Sequence, residues 1–384
     1  MKKYDIIIVG TGFFGSVIAE RVANDLSKNV LMIEQRKHIG GNCYSVFDKK
    51  SGIEYHKYGT HIFHTSNKNV MNYINNFAEL NNYKHQVLSK YKKKIYQMPI
   101  NLETINSIYN KCLSPSEAKI FLAQQIKKDK IKNIKNLEDK TISLVGKKIY
   151  NILIKGYTEK QWGKKCKDLP ASIINRIPIR FNYNEDYFKN CNWQGIPKNG
   201  YTDLFTKMLK NNKIKIKFNK KFELKNFNPD IPVVYTGALD KLFNYKFGKL
   251  EWRSVNFDFK RIDSVDYQGN AVINYAERSI NYTRIHEPRH LHPERKYGRN
   301  NIIIYEYPTI NEKEPYYPIN SEKNRILQKK YKNEVNKIKN LFVGGRLANY
   351  AYYDMDMTIA AALNFYNTVI KKKLNEKKKV YTAK

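Results

Sequence analysis

Apolar and polar positions divide the chain into three kinds of stretch. The first is the short, unbroken apolar run. "YDIIIVG" near the start has the length and β-branched content of a strand buried in a parallel sheet, and "NVLMIE", ending on Glu34, reads the same way. Between them Val17, Ile18, Val22 and Leu26 recur at helical spacing. Two later runs end on glycine-bearing turns: "IPVVYTGALD" (231–240) at Thr236-Gly237, and "NLFVGG" (340–345) at Gly344-Gly345. The second of these leads through a loop into the apolar helix "MDMTIAAAL", with Asp354 placed as its N-cap. The second kind of stretch is helical and fills 100–155. "SPSEAKIFLAQQIKK" sets Ser114 at the N-cap, Pro115 at the first helical position and Glu117 at N3, a capping box with proline where a helix tolerates it. "LEDKTISLVGKKIYNILIKG" carries Ile142, Val145, Ile149, Ile152 and Leu153 at helical spacing and predicts a helix that stops at Gly156. The third kind is the strand-like alternation of "LEWRSVNFDFKRI", "NAVINYA" and "NIIIYEYP" within 245–310.

One stretch lies at a junction of these patterns. "GYTEKQWG" (156–163) holds one of only three tryptophans. With a helix stop at Gly156, Thr158 and Gln161 form a second capping box. Tyr157 and Trp162 then fall at N′ and N4, the spacing of a hydrophobic staple. Local physics reads both rings as packing. A rigid aromatic pair at a helix junction is also a flat wall for a ligand, and at this point both readings stand.

The glycine motif carries the first chemistry. Gly10-Thr11-Gly12-Phe13-Phe14-Gly15 is G-x-G-x-x-G set between a strand and a helix, with an acidic residue, Glu34, about twenty positions on. Gly10 permits the tight turn, Gly12 lets a pyrophosphate approach the backbone, and Gly15 lets helix and strand pack closely. The helix N-terminus offers N–H groups to phosphate, and Glu34 can accept from ribose hydroxyls. The chain therefore reads as a dinucleotide binder. After Glu34 come Arg36, Gly40, Gly41 and Asn42. An acidic strand end followed by a Gly-Gly pair resembles the longer fingerprint of FAD-containing oxidases and their relatives. In those families a closing strand, glycine turn and helix return to the first domain and aim the helix start at the flavin, where it stabilises negative charge.

Composition changes the picture in three places. Lys+Arg number 70 against 35 Asp+Glu, a formal charge of +35, which fits either a polyanionic partner or a lysine-rich solvated surface. The lysines are scattered rather than striped along one helix, so no nucleic acid is expected as a partner. Only 13 of the basic residues are arginine; none lies between Arg36 and Arg176, and seven fall from Arg253 to Arg299. Where a chain defaults to lysine, a retained arginine suits bidentate pairing with carboxylate or phosphate. The four cysteines (Cys43, Cys112, Cys166, Cys191) form no CxxC and no metal-ligand spacing, which points to reduced thiols in a cytoplasmic protein and to no metal. Asp5 interrupts the opening apolar run, and no stretch approaches the ~20 apolar residues of a membrane span, so neither a signal peptide nor membrane insertion is expected. No Ser/His/Asp set and no carboxylate pair stands out.

A set of longer segments carries a resemblance over almost the whole chain. "HKYGTHIFHT", "SLVGKKIYNILIKGYTEKQWG", "LPASIINRIPIRFNYNEDYF", "GIPKNGYTDLF", "QGNAVINY", "YTRI", "EPYYPIN" and "VGGRLANYAYYDMDM" follow one another in an order that resembles the bacterial UDP-galactopyranose mutase family. The resemblance implies an α/β fold. A Rossmann-like FAD-binding domain with a parallel sheet would form from 1–78, 195–242 and 330–384. A helical bundle at 100–172 and an antiparallel sheet substrate domain from 79–99, 173–194 and 243–329 would be inserted in it. It implies FAD that is active when reduced, and an isomerase that interconverts UDP-galactopyranose and UDP-galactofuranose through a covalent bond between flavin N5 and the sugar. A cellular flavin reductant, a homodimer and galactofuranose supply for cell-surface glycans belong to the same expectation. The alternatives are a related UDP-N-acetylgalactosamine mutase and an FAD amine oxidase-like oxidoreductase.

The resemblance also assigns residues. Arg176 and Arg284 match the pair that clamps the pyrophosphate, with His61 as a third catalytic candidate. Around the cofactor it sets Gly10, Gly12, Phe13, Phe14, Gly15, Glu34, Arg36, Gly41, Asn42, Thr60, His61, Gly237, Gly345, Arg346, Asp354 and Met355. Around the substrate it sets His56, Tyr157, Thr158, Trp162, Tyr187, Arg253, Asn274, Tyr316, Tyr317, Tyr352 and Asp354, with Arg180 a weaker candidate. For Asp354 the plain N-cap reading stands beside this one. The connection near 127–139 and the segment carrying Arg176 match loops that close over substrate.

Overall fold

A computed structural model describes residues 4–176, 178–189, 191–310 and 314–375, with the side chains of 175 and 176 excepted. Five short strands, Ile6–Val9, Val30–Ile33, Ile214–Lys217, Val233–Tyr235 and Leu341–Val343, pair in parallel. Ile6–Val9 lies at the centre of the sheet. Its Ile6 and Ile8 are fully buried in a cluster with Val17 and Ile18 of helix Phe13–Leu26 and Ile359 of helix Met355–Phe365. Ile7 and Val9 pack on the opposite cluster, against which helix Glu322–Asn336 contributes Leu327 and Tyr331. Both faces are thus covered, which is why the inner strands read as unbroken apolar runs, whereas the edge strand Ile214–Lys217 alternates isoleucine with lysine.

The second sheet has seven strands. Their order is Tyr317–Pro318, Trp252–Asp263, Asn300–Thr309, Arg284–His286, Val272–Tyr275, Val87–Tyr91 and Lys94–Met98. All neighbours are antiparallel except Val272–Tyr275 with Val87–Tyr91, which run parallel. The register sets Arg284 opposite Asn274 on one side and opposite Glu306 on the other. Side chains at paired positions share a face of a sheet. Three polar residues far apart in sequence therefore meet in a row.

The helical stretch forms Leu102–Tyr109, Pro115–Lys128 and Leu137–Ile149, and the Ser114/Glu117 capping box is present in full. The expected helix stop is not where the sequence suggested. The chain runs from Tyr150 to Trp162 without a break, first as a π-type stretch to Lys155 and then as α-helix Gly156–Trp162. Gly156 itself is helical (φ −64°, ψ −39°). Thr158 is therefore no N-cap, and neither the second capping box nor the Tyr157/Trp162 staple exists. The interruption falls earlier, at Gly146 (φ 76°, ψ 160°), and the end falls at Gly163 (φ 64°). Gly156 is required for another reason. A Cβ there would lie 2.2 Å from the carbonyl oxygen of Ala276, so glycine is what lets this helix press against the end of strand Val272–Tyr275.

Candidate active site

A cavity of about 1850 Å³ runs between the two sheets and the helix Gly156–Trp162. Its lining joins the glycine loop, Gly10 to Gly15, to Tyr157, Trp162 and Arg284. The dinucleotide end is built by strand ends. Gly10 has φ +99°, and a Cβ on it would meet Thr236 Oγ1 at 2.2 Å, so the loop is pressed against the turn that follows strand Val233–Tyr235. Thr236 Oγ1 donates to the Val9 carbonyl at 2.7 Å. Glu34 is buried and already engaged. Its Oε2 accepts from Thr11 N (2.9 Å) and Thr11 Oγ1 (2.7 Å), and its Oε1 accepts from Arg36 N (2.8 Å). The carboxylate thus holds the loop in the shape a pyrophosphate needs. Asn42 Oδ1 accepts from Arg36 Nη2 at 3.0 Å, while the buried Arg36 Nε has no partner. A glycine cradle that side chains would fill, with an unpaired buried cation edge beside it, fits an anionic dinucleotide. Phe13, Phe14, Gly41, Gly237, Gly345, Arg346 and Met355 line the same space.

The sheet wall carries a connected polar row. Arg284 Nε donates to Asn274 Oδ1 at 3.1 Å, and Nη1 lies 3.5 Å from Glu306 Oε2. His286 Nε2 is 3.1 Å from the same Glu306 oxygen, and its Nδ1 is 2.8 Å from Thr60 Oγ1. Thr283 Oγ1 donates to Glu306 Oε1 at 3.2 Å. Burial alone would push the Glu306 carboxyl up, but Arg284, His286 and Thr283 outweigh it and hold it at about 2. Arg284 moves the other way: against its own burial, the carboxylate and nearby tyrosines raise it well above its ordinary value. The guanidinium is thereby fixed in charge and direction, 5.7 Å from the centre of the Tyr157 ring.

The helix Gly156–Trp162 turns one face to the cavity, with Tyr157, Thr158, Gln161 and Trp162 in its lining. The Tyr157 hydroxyl and Gln161 Oε1 are buried there without partners. On its other side Lys160 Nζ donates to the carbonyls of Tyr275 (2.7 Å) and Tyr282 (2.9 Å). Burial pulls that amine down to about 8. Tyr187, Tyr316, Tyr317, Tyr352 and Asp354 complete the lining, with the Tyr317 and Tyr352 rings stacked at 6.1 Å. Asp354 precedes helix Met355–Phe365, but its side chain makes no capping bond, which leaves the carboxylate for the cavity.

Two expected substrate residues are not in the lining. His56 is buried beneath it; its Nδ1 accepts from the His61 backbone N at 2.9 Å. It supports the His61 loop from behind. Arg253 is also buried, with Nε donating to the Gln161 carbonyl (2.9 Å) and Nη2 to the Lys160 carbonyl (3.3 Å). It satisfies the last carbonyls of the helix, as cations do at helix C-termini. Arg180 instead donates to Asn184 and Asp186 carbonyls in its own exposed loop. His61 does line the cavity. Its Nδ1 is 2.6 Å from the Gly59 carbonyl and so carries the proton, leaving the lone pair on Nε2, and burial lowers the ring to about 4. For Arg176, the turn Ala171–Arg176 borders the cavity through Ile173 and Ile174, and its side chain lies outside the described residues.

Comparison with known proteins now decides the family. A family profile described as UDP-galactopyranose mutase matches residues 152–352. The dTDP-fucopyranose mutase of Escherichia coli is 36% identical over 95% of this chain and 98% of its own. The probable UDP-galactopyranose mutase of Klebsiella pneumoniae is 38% identical over 94% of each chain. The chain belongs to the UDP-galactopyranose mutase family. It is accordingly an isomerase. A second profile, an NAD(P)-binding Rossmann-like domain, matches residues 8–77 around the glycine loop. A crystal structure of reduced UDP-galactopyranose mutase shares the fold, with a TM-score of 0.72 at 14% identity over 97% of this chain and 94% of that one. Among the described residues no helix is long and apolar enough to cross a membrane.

Several lining residues of this family member escaped the sequence reading. Thr11, Tyr58, His286, Glu306 and Glu314 all face the cavity. Arg284 and His286 stand two apart, the spacing of one strand face, but the alternation pattern marked no strand there. Nothing in the sequence named the strand that would bring Glu306 to it.

Proposed function

We propose that this enzyme interconverts UDP-galactopyranose and UDP-galactofuranose with FAD in its reduced state. One observation carries the reading: a dinucleotide cradle and a fixed cation, Arg284, share a single cavity. A reduced flavin held in this cradle would supply a nucleophile for the anomeric carbon, with no net redox change.

The chain's own residues do the rest. Gly10, Gly12, Gly15, Glu34, Arg36 and Asn42 hold the dinucleotide, and Gly345, Arg346 and Met355 close on it from the C-terminal strand and helix. Arg284, pre-aimed by Asn274 and Glu306, stabilises the diphosphate as negative charge grows on it, and Arg176 adds a second fork. Tyr157 offers an aromatic face to the uracil, and Trp162 bounds the sugar. Tyr187, Tyr316, Tyr317 and Tyr352 donate hydroxyls to phosphate or sugar oxygens. His61, neutral at physiological pH, is available to accept a hydrogen bond at Nε2 beside the reacting centre. A cellular reductant, a cytoplasmic setting, a homodimer and use of the product in cell-surface glycans complete the reading.

The test incubates dithionite-reduced protein with either nucleotide sugar and follows the isomers by chromatography. Interconversion only after reduction is expected; none, or an equal amount without reduction, refutes it. A second reading has a specific basis in the 36% identical dTDP-fucopyranose mutase. Faster turnover of dTDP-fucopyranose in the same assay would make a thymidine-linked deoxysugar the substrate.

A further inference from the structure

Arg36 gathers groups that are distant in sequence. Its Nη2 donates to Asn42 Oδ1 at 3.0 Å and to the carboxylate of Glu314, and its Cζ lies 4.2 Å from the Tyr58 ring centre. The buried Nε is left without a partner. Glu314 opens the short segment that brings Tyr316 and Tyr317 to the cavity. The backbone of that segment is held elsewhere. Ser254 Oγ donates to the Glu314 carbonyl, Arg346 donates to the carbonyls of Pro315 and Tyr316, and Tyr316 N donates to Arg253 O at 3.1 Å. The side chain of Glu314 ties the segment to the dinucleotide end.

We propose that Arg36 and Glu314 couple the two ends of the cavity. An oxygen of the bound dinucleotide accepts from the unpartnered Nε and fixes the guanidinium. The guanidinium in turn fixes Glu314 and the tyrosines that meet the nucleotide sugar. Both are positioning residues and touch no reacting atom. The inference rests on the reading that a flavin dinucleotide and a UDP-sugar share this cavity. Coupling of this kind is reciprocal: each ligand tightens the other by the same factor. The side chains are 16% and 36% exposed, so solvent screens the pair and the factor is modest, about threefold to tenfold.

The experiment titrates FAD into the apoprotein by flavin fluorescence, with and without saturating UDP, for wild type, Glu314→Gln and Arg36→Lys. In wild type, UDP tightens FAD by about threefold to tenfold, and in Glu314→Gln the ratio falls to about one while FAD affinity without UDP stays within about threefold. Arg36→Lys, which keeps the charge but lacks the fork, loses the ratio and also weakens FAD. A ratio preserved in Glu314→Gln, or a wild-type ratio of one, overturns the proposal. Should Glu314→Gln fail to fold, Glu314→Asp, one methylene short of the guanidinium, takes its place with the same expected loss. The readout is binding alone. A protein that shows the ratio yet isomerises no nucleotide sugar refutes the function proposed above and leaves this coupling in place.

Discussion

Replacing Glu306 by Gln removes the charge that fixes Arg284 while keeping nearly the same shape. The carboxyl sits at about 2 in the folded protein against an ordinary value of 4.5. Its folded-state value is depressed, so its ionisation stabilises the fold above the unfolded value and the gain is lost as pH falls through the folded one. Each unit corresponds to 1.36 kcal/mol, so the ionised group contributes about 3 kcal/mol at pH 7 and about 1 kcal/mol at pH 3. Denaturant melts of wild type and Glu306→Gln should therefore differ by about 3 kcal/mol at neutral pH, with the gap narrowing by roughly two-thirds at pH 3. The same variant leaves Arg284 partly buried without its counter-ion, a recognised source of destabilisation of this size. A gap that does not change between pH 7 and pH 3 would refute the argument, because it would assign the loss to packing instead of charge.

Four further outcomes are expected. Arg284→Lys keeps the charge but cannot hold Asn274, Glu306 and a diphosphate together, so kcat should fall by at least about 100-fold in the isomerisation assay, with a smaller loss of stability than in Glu306→Gln because Glu306 keeps a cation beside it. Arg176→Ala should cost a similar factor, and a near-normal rate would remove it from the mechanism. Gly156→Ala drives a methyl into the Ala276 carbonyl and should destabilise by about 1–3 kcal/mol in a denaturant melt; wild-type stability would mean that the helix can move off the sheet at little cost. Arg253→Ala strips two carbonyls of their donor at the end of the Trp162 helix, with an expected loss of about 1–3 kcal/mol; a stable variant with weakened UDP binding would instead return Arg253 to the substrate site.

The glycine loop was legible because its constraint is local. Gly10 to Gly15, the strand before it and the helix after it are neighbours in sequence, and Glu34 closes the same unit. The Ser114 capping box was legible for the same reason. The reading of "GYTEKQWG" failed where the deciding partner was distant. Glycine at 156 looked like a helix stop, since that is its commonest local use, but its neighbour is Ala276, 120 positions on. With the stop gone, Tyr157, Thr158, Gln161 and Trp162 become one face of an unbroken helix, and that face lines the cavity.

His56 and Arg253 show the converse. The family resemblance marked both as substrate residues, and in the fold both are buried outside the cavity lining, holding residues that do line it. Periodicity and spacing determine which stretches are strands, where a dinucleotide can sit and which cations are scarce enough to matter, because those properties depend on neighbours within a few residues. They cannot say that Arg284 will stand between Asn274 and Glu306, or that Arg36 will reach Glu314, because strand register and loop contact are set by side-chain packing across the whole chain. The glycine cradle was therefore written locally, and the polar wall around Arg284 was decided by the tertiary fold.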